Sequence, residues 1–163
     1  MKVQTVIKDE MKVIGIATIT TNIKDEGMMQ AFMLWGEFLG KNLAERIPNR
    51  INPHIRLGVY FDYEKNFCHS EGKYSFLAGV EVDSLESIPE GMVGITIPKA
   101  KYAVFTAKGE MKQEIQKTWK SIWTQWPIES GMERAYTVDM EVFDSSRFYN
   151  GDQSELDIYI SVK

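Results

Sequence analysis

Cysteine and histidine are scarce in this sequence: its 163 residues include one cysteine, Cys68, and two histidines, His54 and His69. A single cysteine excludes an intrachain disulfide and a zinc site built from several cysteines. Two isolated histidines in loop-rich segments give poor support for a metal site, or for a Ser/His/Asp or Cys/His catalytic group. We therefore expect no metal and no cofactor, and we expect both histidines in surface loops.

Basic residues are also too few for a nucleic-acid-binding surface. Lys plus Arg number 19 and Asp plus Glu number 23, giving a net charge of −4, whereas DNA- and RNA-binding domains usually carry a basic excess. The glycines are scattered singly, so the sequence has neither a phosphate-binding loop nor a dinucleotide-binding fingerprint. No run approaches 18 apolar residues, and the N-terminus lacks the apolar region of a signal peptide. These absences predict a cytoplasmic protein with no direct nucleic-acid binding and no membrane contact.

One pattern of secondary structure occurs twice along the chain. A strand rich in β-branched residues is followed by an amphipathic helix and two more strands, and the same order returns after a connection at 83–101 that is rich in Pro and Gly. The predicted strands lie at 11–20, 57–63, 76–82, 102–107, 137–144 and 155–162, and the predicted helices at 25–46 and 110–126. Because a repeated unit usually cannot bury its apolar face alone, we predict one domain over 1–163, with pseudo-repeats at about 11–85 and 100–163.

Alternation along the strands predicts which side chains share a face of the sheet. The apolar rows that we expect under the helices are Leu57, Val59 and Phe61; Phe76, Ala78, Val80 and Val82; Val138, Met140 and Val142; and Leu156, Ile158, Ile160 and Val162. The opposite face then collects aromatic rings and carboxylates, at Tyr60, Glu81, Glu141, Phe143 and Tyr159. We expect this second face to form the wall of a binding groove.

Three of the four tryptophans lie in the second predicted helix, at Trp119, Trp123 and Trp126. Spacings of four and three residues put them near one side of that helix. Core packing is the interpretation for Trp119 and Trp126, whereas Trp123 is expected to reach a pocket wall. Trp35 is its counterpart in the first helix.

Glu141 is the candidate with the clearest chemical role. It lies in mid-strand between Met140 and Val142, where a carboxylate is costly unless it is paired or used. A partly desolvated carboxylate among aromatic rings attracts a lipophilic cation, because the ring faces and the carboxylate both favour positive charge. The alternative interpretation is an exposed glutamate on an open sheet face.

Several longer motifs follow one another in a fixed order. They are Gly79-Val-Glu-Val82, Lys101-Tyr-Ala-Val-Phe-Thr-Ala-Lys-Gly109, Trp119-Lys-Ser-Ile-Trp-Thr-Gln-Trp-Pro127, Ser130-Gly-Met-Glu133, Asp139-Met-Glu-Val-Phe-Asp144 and Asp157-Ile-Tyr-Ile-Ser-Val-Lys163. In order and spacing the chain resembles the GyrI-like small-molecule-binding superfamily, from about Met11 to Lys163. That superfamily includes the effector-binding domains of AraC-type and multidrug-responsive bacterial transcription regulators.

The resemblance implies an α+β fold made of a duplicated strand-helix-strand-strand module. Its antiparallel sheet should carry helices on one face and a ligand groove at the pseudo-twofold axis. In relatives a groove glutamate meets cationic aromatic drugs; Glu141 occupies the matching position, with Phe143 and Tyr159 at other expected pocket positions. Many relatives have an N-terminal helix-turn-helix domain, whereas this chain begins almost directly with the first strand, so the expectation is a stand-alone member.

The preferred function is therefore binding of small, hydrophobic, cationic aromatic molecules, as a ligand sensor or sequestering protein. The expected contacts are Glu141, Phe143, Tyr159, Tyr60, Trp123, Trp35 and Glu81. One alternative, implied by a branch of the superfamily, is a hydrolase of reactive cyclopropane-containing compounds that uses Glu141 with Tyr60 or Tyr159. A second alternative is a protein-interaction module of the topoisomerase-inhibitor type, acting on a regulator or another protein partner.

Overall fold

The computed structural model describes residues 3–163 and shows an α+β fold built on one eight-stranded antiparallel sheet. The strands are β1 (Val3–Lys8), β2 (Met11–Thr21), β3 (Ile55–Phe61), β4 (Lys73–Val82), β5 (Val93–Ile97), β6 (Ala100–Lys108), β7 (Asp139–Asp144) and β8 (Glu155–Ser161). The helices are α1 (Glu26–Gly40), α2 (Met111–Thr124), α3 (Trp126–Ser130) and α4 (Ser145–Phe148). The fold class predicted from the sequence is confirmed.

The strand order across the sheet, β1-β6-β8-β7-β3-β4-β2-β5, contains two equivalent halves. From the centre outwards, β3, β4 and β2 of the first half correspond to β7, β8 and β6 of the second. β3 and β7 pair antiparallel with Val59 opposite Met140, so a pseudo-twofold axis passes between these two residues. Across this axis Tyr60 is equivalent to Glu141, 81 residues later in the chain.

The two edge strands are exchanged between the halves. β1 leads directly into β2 yet pairs with β6, whereas β5 leads directly into β6 yet pairs with β2. The sequence-based prediction of a connection over 83–101 is therefore wrong for Val93–Ile97. Gly94 and Pro98 interrupt the apolar run in this segment, which is why it was predicted to be a connection. An edge strand has a pairing partner on one side only and therefore tolerates such residues.

Both long helices lie on the same face of the sheet, as predicted. α1 packs through Phe38 against the apolar row of β4, and α2 packs through Trp119 and Ile122 against β6 and β8. The predicted rows of β4 and β8 lie under these helices, which confirms that part of the face assignment. Among residues 3–163, no helix is long and apolar enough to cross a membrane.

The helix ends differ slightly from the prediction. α1 ends at Gly40, and a separate 3₁₀ turn follows at Leu43–Arg46. α2 begins after Glu110, whose carboxylate accepts a hydrogen bond from the backbone N–H of Gln113. It ends at Thr124, and Pro127 lies in the first turn of α3, where its missing N–H costs no helical hydrogen bond.

The face of the sheet that is turned away from the helices is also buried. Every strand contributes to its apolar core, for example through Val6, Val13, Val59, Leu77, Ile97, Tyr102, Met140 and Tyr159. Since residues of both edge strands and of the central strands belong to one cluster, the sheet curls around this face. The central strands are therefore covered on both sides.

This double burial overturns the face assignment for the two central strands. Leu57, Val59 and Phe61 of β3 face the second core and not the helices, as do Met140 and Val142 of β7. Their alternate residues, which include Tyr60 and Glu141, are turned towards the helices. The predicted functional row of these two strands thus lies between the sheet and the helices, and not on the far face.

Candidate functional site

Tyr60 and Glu141 meet beside the pseudo-twofold axis, in the space between α1 and α2. The Tyr60 hydroxyl donates a hydrogen bond of 2.8 Å to Oε1 of Glu141. Gly58 lies directly opposite Glu141 in the β3–β7 ladder, and a Cβ atom built there would come within 3.2 Å of that same Oε1 atom. The absence of a side chain at position 58 therefore leaves room for the carboxyl group.

Glu141 is buried, with 5% of its surface exposed, and both of its oxygens accept hydrogen bonds. The second donor is the indole Nε1 of Trp119, at 3.1 Å from Oε2. Within the described range 3–163, no Lys, Arg or His forms an ion pair with Glu141. Burial raises the pKa of the Glu141 carboxyl above its usual value of 4.5, against the opposing effect of the hydrogen bonds from Trp119 and Tyr60.

Asp139, two residues earlier on the same strand and face, has very different surroundings. It is fully buried, and its Oδ2 pairs with the buried Arg134 guanidinium at 2.7 Å and accepts from the Tyr63 hydroxyl at 2.5 Å. Its Oδ1 accepts from the backbone and side chain of Ser161 at 2.8 and 3.1 Å. The negative charge of Asp139 is therefore compensated within the protein, whereas that of Glu141 is not.

Aromatic rings surround both carboxylates. We call the set Tyr60, Tyr63, Phe67, Tyr74, Phe76, Trp119 and Trp123 the aromatic cluster. Tyr60 is at its centre, with ring centroids of Phe76, Trp119 and Tyr74 at 4.9, 5.1 and 5.8 Å. Burial, followed by the charge of Glu141, raises the pKa of Tyr60 well above its usual 10. Tyr60 thus remains a neutral hydrogen-bond donor.

The loop between β3 and β4 covers this cluster from one side. Its Phe67 packs against Tyr63 and Tyr74, at centroid distances of 4.9 and 5.7 Å. Its His69 ring is stacked on Trp123 at 5.6 Å, with an angle of 8° between the planes. The loop therefore closes the cluster by ring-to-ring contact.

Two spaces adjoin the cluster. A void of about 20 Å³ lies among its rings, next to Tyr60 and Trp119, and has room for no more than about one water molecule. A larger, open cleft of about 560 Å³ lies beyond the wall formed by Tyr63, Phe67 and Arg134, which line both spaces. The cluster itself is closed in this structure.

The structure brings together some of the residues proposed from the sequence. Glu141 and Tyr60 are hydrogen-bonded, and Trp123 borders the small void. Trp35 contacts Phe143 across the space between α1 and β7, at a centroid distance of 5.0 Å. Ligand contact by these five residues remains a prediction.

Glu81 and Tyr159 are placed elsewhere, so their prediction as neighbours of Glu141 is wrong. Tyr159 pairs with Met140 in the ladder and packs with Tyr102 in the second core. Glu81 lies opposite Val13 and points to the same far face. A hydrolytic site that combines Glu141 with Tyr159 is incompatible with this arrangement, and Tyr60 is the tyrosine beside Glu141.

Several residues at the site were missed or assigned to the core. Trp119 was interpreted as core packing, and its helical spacing does not distinguish a tryptophan that also donates to a carboxylate. Asp139 lies two residues before Glu141 and therefore on the same face of the strand, a spacing that indicates its position at the site. Tyr74 lies two residues before Phe76 on the same face of β4, a spacing that also indicates its position. Tyr63 and Arg134 reach the site from outside the regular strands, and no local spacing indicates this.

Comparison with known proteins places the chain in a family. A family model described as Cass2, integron-associated effector binding protein, matches residues 5–162. The chain belongs to this family. Membership in the Cass2 family confirms the effector-binding resemblance drawn from the sequence motifs.

The relatives of this Cass2 family member include a regulator and two solved structures. The transcriptional regulator BrlR of Pseudomonas aeruginosa is 32% identical over 133 residues, which are 79% of this chain and 45% of BrlR. The chain thus spans less than half the length of that regulator. An integron cassette protein of Vibrio cholerae, 23% identical, superposes with a TM-score of 0.73 over 99% of this chain and 95% of its own. SAV2435, solved with bound tetraphenylphosphonium, is 18% identical, with a TM-score of 0.78 over 100% and 94%. These two likenesses show a shared fold.

Proposed function

We propose that this protein binds small aromatic cations at Glu141, within the aromatic cluster, and acts as a ligand sensor or sequestering protein. The observation that carries the proposal is the unpaired state of Glu141. Buried carboxylates in proteins are normally paired with a cation, and Asp139 on the same strand follows this rule. Glu141 has two neutral donors and no cation in the described part of the chain, which fits a partner charge that comes from the ligand.

The surroundings of Glu141 favour an aromatic cation over an inorganic one. Electron-rich ring faces attract cationic groups, and the low effective dielectric of a buried site strengthens the attraction to the carboxylate. An amine or metal ion would lose its hydration here and gain few ligands, because the neighbouring groups are rings. A lipophilic cation with a delocalised charge has little hydration to lose.

The comparisons are consistent with this proposal. SAV2435 shares the fold and was solved with tetraphenylphosphonium, a cation of this class. BrlR is named as a transcriptional regulator, which supports a role for ligand binding in regulation.

Binding requires the closed cluster to open. A void of about 20 Å³ cannot admit a ring-bearing ligand, so some of Tyr60, Trp119, Trp123 and the covering loop must move aside. The free energy of that movement lowers the apparent affinity, since only the open fraction of molecules is competent to bind.

The decisive experiment compares two ions of the same shape and opposite charge, tetraphenylphosphonium and tetraphenylborate, on wild-type protein and on Glu141→Gln. Truncating one partner of a desolvated charge pair costs about 2–5 kcal/mol. The variant should therefore bind tetraphenylphosphonium at least about tenfold more weakly. Tetraphenylborate should bind the variant as well as, or better than, the wild type. Isothermal titration calorimetry measures both.

Glu81→Gln is the matched control, because it removes the same charge from the opposite face of the sheet. It should leave tetraphenylphosphonium affinity within about twofold of wild type. Equal losses in the two variants would mean that overall charge, and not Glu141, governs binding. Recovery of a chemically altered ligand after incubation would point to turnover and against a binding protein.

A further inference from the structure

The open cleft beside the aromatic cluster has a composition unlike that of the Glu141 site. Its volume of about 560 Å³ lies within the range of small-molecule sites, about 300–1,000 Å³. Three aromatic rings, those of Tyr63, Phe67 and Tyr136, form part of its wall. Tyr63 and Phe67 each lie about one ring width from Tyr136, at centroid distances of 5.5 and 5.6 Å. Both rings therefore contact Tyr136 edge to face, and the three give the cleft a continuous aromatic wall.

Arg134, which lines this cleft, has an unused hydrogen-bond donor. Its side chain is 5% exposed, one terminal nitrogen pairs with Asp139, and the Tyr136 ring lies 4.3 Å from Cζ. Its buried Nε–H has no acceptor anywhere in residues 3–163. A buried donor without an acceptor is unfavourable, so an acceptor supplied from the cleft would relieve this deficit. The atom is covered in the ligand-free protein, and a rotamer change in the cleft wall must expose it first.

Two donors on the cleft wall are available to an acceptor with negative charge. Of the acidic side chains, Glu133 pairs with Lys163 at 2.5 Å, whereas Glu64 accepts from the backbone N–H of Lys73 at 2.9 Å and keeps its charge. Lys65, at the rim, forms no ion pair within the described range of the chain. Lys65 and the Nε–H of Arg134 are thus the two donors on the cleft wall that are left for an acceptor.

We propose that the cleft is a separate binding site for planar aromatic acids, whose carboxylate or sulfonate is held by Arg134 and Lys65 and whose ring packs on Tyr63, Phe67 and Tyr136. The proposal does not rest on the cation site, because the two donors to Glu141, Tyr60 and Trp119, do not line the cleft. One face of the molecule would then carry two neighbouring sites, one that prefers cations and one that prefers anions.

The test uses 2-naphthoate and its neutral analogue 2-naphthamide, titrated calorimetrically into the full-length protein. Charge-assisted hydrogen bonds are about twice as strong as neutral ones, so naphthoate should bind about tenfold more tightly than naphthamide. Lys65→Gln should weaken naphthoate about threefold, as expected for an exposed ion pair. Lys120→Gln, which makes the same charge change on the exposed side of α2, should leave the affinity within about twofold.

Arg134→Lys keeps a cation near Asp139 but removes the Nε–H. It should weaken naphthoate about tenfold and naphthamide by less, because a neutral carbonyl accepts a weaker hydrogen bond than a carboxylate, with a thermal melt to verify folding. Glu141→Gln should leave naphthoate binding intact, which separates this site from the cation site. The proposal is overturned if naphthoate and naphthamide bind equally, if Lys65→Gln and Lys120→Gln act alike, or if Glu141→Gln abolishes naphthoate binding. The surface variant at Lys65 decides the matter even if Arg134→Lys does not fold.

Discussion

Two acidic residues of β7 show how much surroundings decide chemistry at the scale of a single residue. Asp139 is held by a guanidinium, a phenol and a serine, and its role is to join the end of β8 to the centre of the sheet. Glu141 is held by a phenol and an indole. The first arrangement is electrostatically complete, and the second leaves an ionised carboxylate without a charged partner.

The Tyr60 hydroxyl donates one of the two hydrogen bonds that offset the cost of burying Glu141. Tyr60→Phe keeps the ring and leaves Oε1 without its donor, so it should lower the free energy of unfolding by about 1–3 kcal/mol. Urea denaturation monitored by circular dichroism measures this change. Tyr102→Phe is the control, because the hydroxyl of Tyr102 makes no side-chain hydrogen bond in the described part of the chain; it should cost less than about 0.5 kcal/mol. Similar losses in both variants would mean that phenol removal itself, and not the bond to Glu141, is responsible.

The raised pKa of Glu141 predicts opposite effects of pH on stability and on cation binding. In the folded protein the carboxyl stays neutral at pH values where the unfolded chain, with a pKa near 4.5, is already ionised. Its contribution to stability is therefore fully present below pH 4.5 and is lost as pH rises through the folded-state pKa. Stability of the wild type relative to Glu141→Gln should decline over that interval, as measured by urea denaturation at each pH.

Affinity for tetraphenylphosphonium should rise over the same interval, because the cation requires the ionised carboxylate. Titrations of the wild type should level off above the pKa of Glu141, and those of Glu141→Gln should show no such rise. A wild-type affinity that stays constant as pH rises from 4.5 would contradict a carboxylate that binds the cation.

At the scale of elements, α2 is both a wall of the core and a wall of the site. Trp126 follows it at the start of α3 and packs edge-on against Phe105, while Trp119 and Trp123 face the aromatic cluster. The loop between β3 and β4 rests on Trp123 through His69. Opening of the cluster therefore changes the surroundings of Trp119 and Trp123 and leaves those of Trp126 unchanged.

Tryptophan fluorescence should report this difference. Tetraphenylphosphonium should quench the emission in a saturable way, and Trp123→Phe should remove most of the quenching while the protein stays folded. Trp126→Phe is the matched variant: it should keep the quenching and lower the melting temperature, since large-to-small changes in a core destabilise. Full retention of quenching in Trp123→Phe would contradict a ligand that binds next to α2.

The sequence predicted the positions of the strands better than it predicted which row of side chains in each strand faces the helices. In β4 and β8 the row under the helices is apolar throughout, whereas the other row includes polar or small residues such as Ser75, Gly79 and Asp157, and the orientation of these strands was predicted correctly. In β3 and β7 both rows are buried, with Val59 and Met140 on one side and Tyr60 and Glu141 on the other. Period 2 does not distinguish two rows that are both buried, so Glu141 was assigned to the face opposite the helices although it lies under them.

For the whole molecule, the exchange of edge strands makes each half incomplete. β2 depends on β5 for one of its neighbours, β6 depends on β1, and β3 and β7 pair across the centre. The proposed single domain with two pseudo-repeats follows from this mutual dependence. The duplicated pattern was accessible from the sequence, whereas the exchange was not, because the pairing of edge strands is a long-range property.

A fragment of residues 1–90 should therefore fail to fold. It contains β1 to β4 but lacks β5, β6 and β7, the partners of β2, β1 and β3. Thermal unfolding followed by circular dichroism should show no cooperative transition for the fragment and one cooperative transition for the full chain. A cooperative melt of the fragment would contradict the mutual dependence of the halves.

The pseudo-twofold axis also constrains how such a site could have arisen by duplication of a half-length ancestor. In a symmetric pair of identical halves, the equivalent positions 60 and 141 would carry the same residue, giving two phenols or two like-charged carboxylates near the axis. Joining the halves in one chain frees the two positions to diverge, so that one can donate the hydrogen bond that the other accepts. The hydrogen bond between Tyr60 and Glu141 is thus a mark of broken symmetry, and it depends on the two modules being encoded as a single polypeptide.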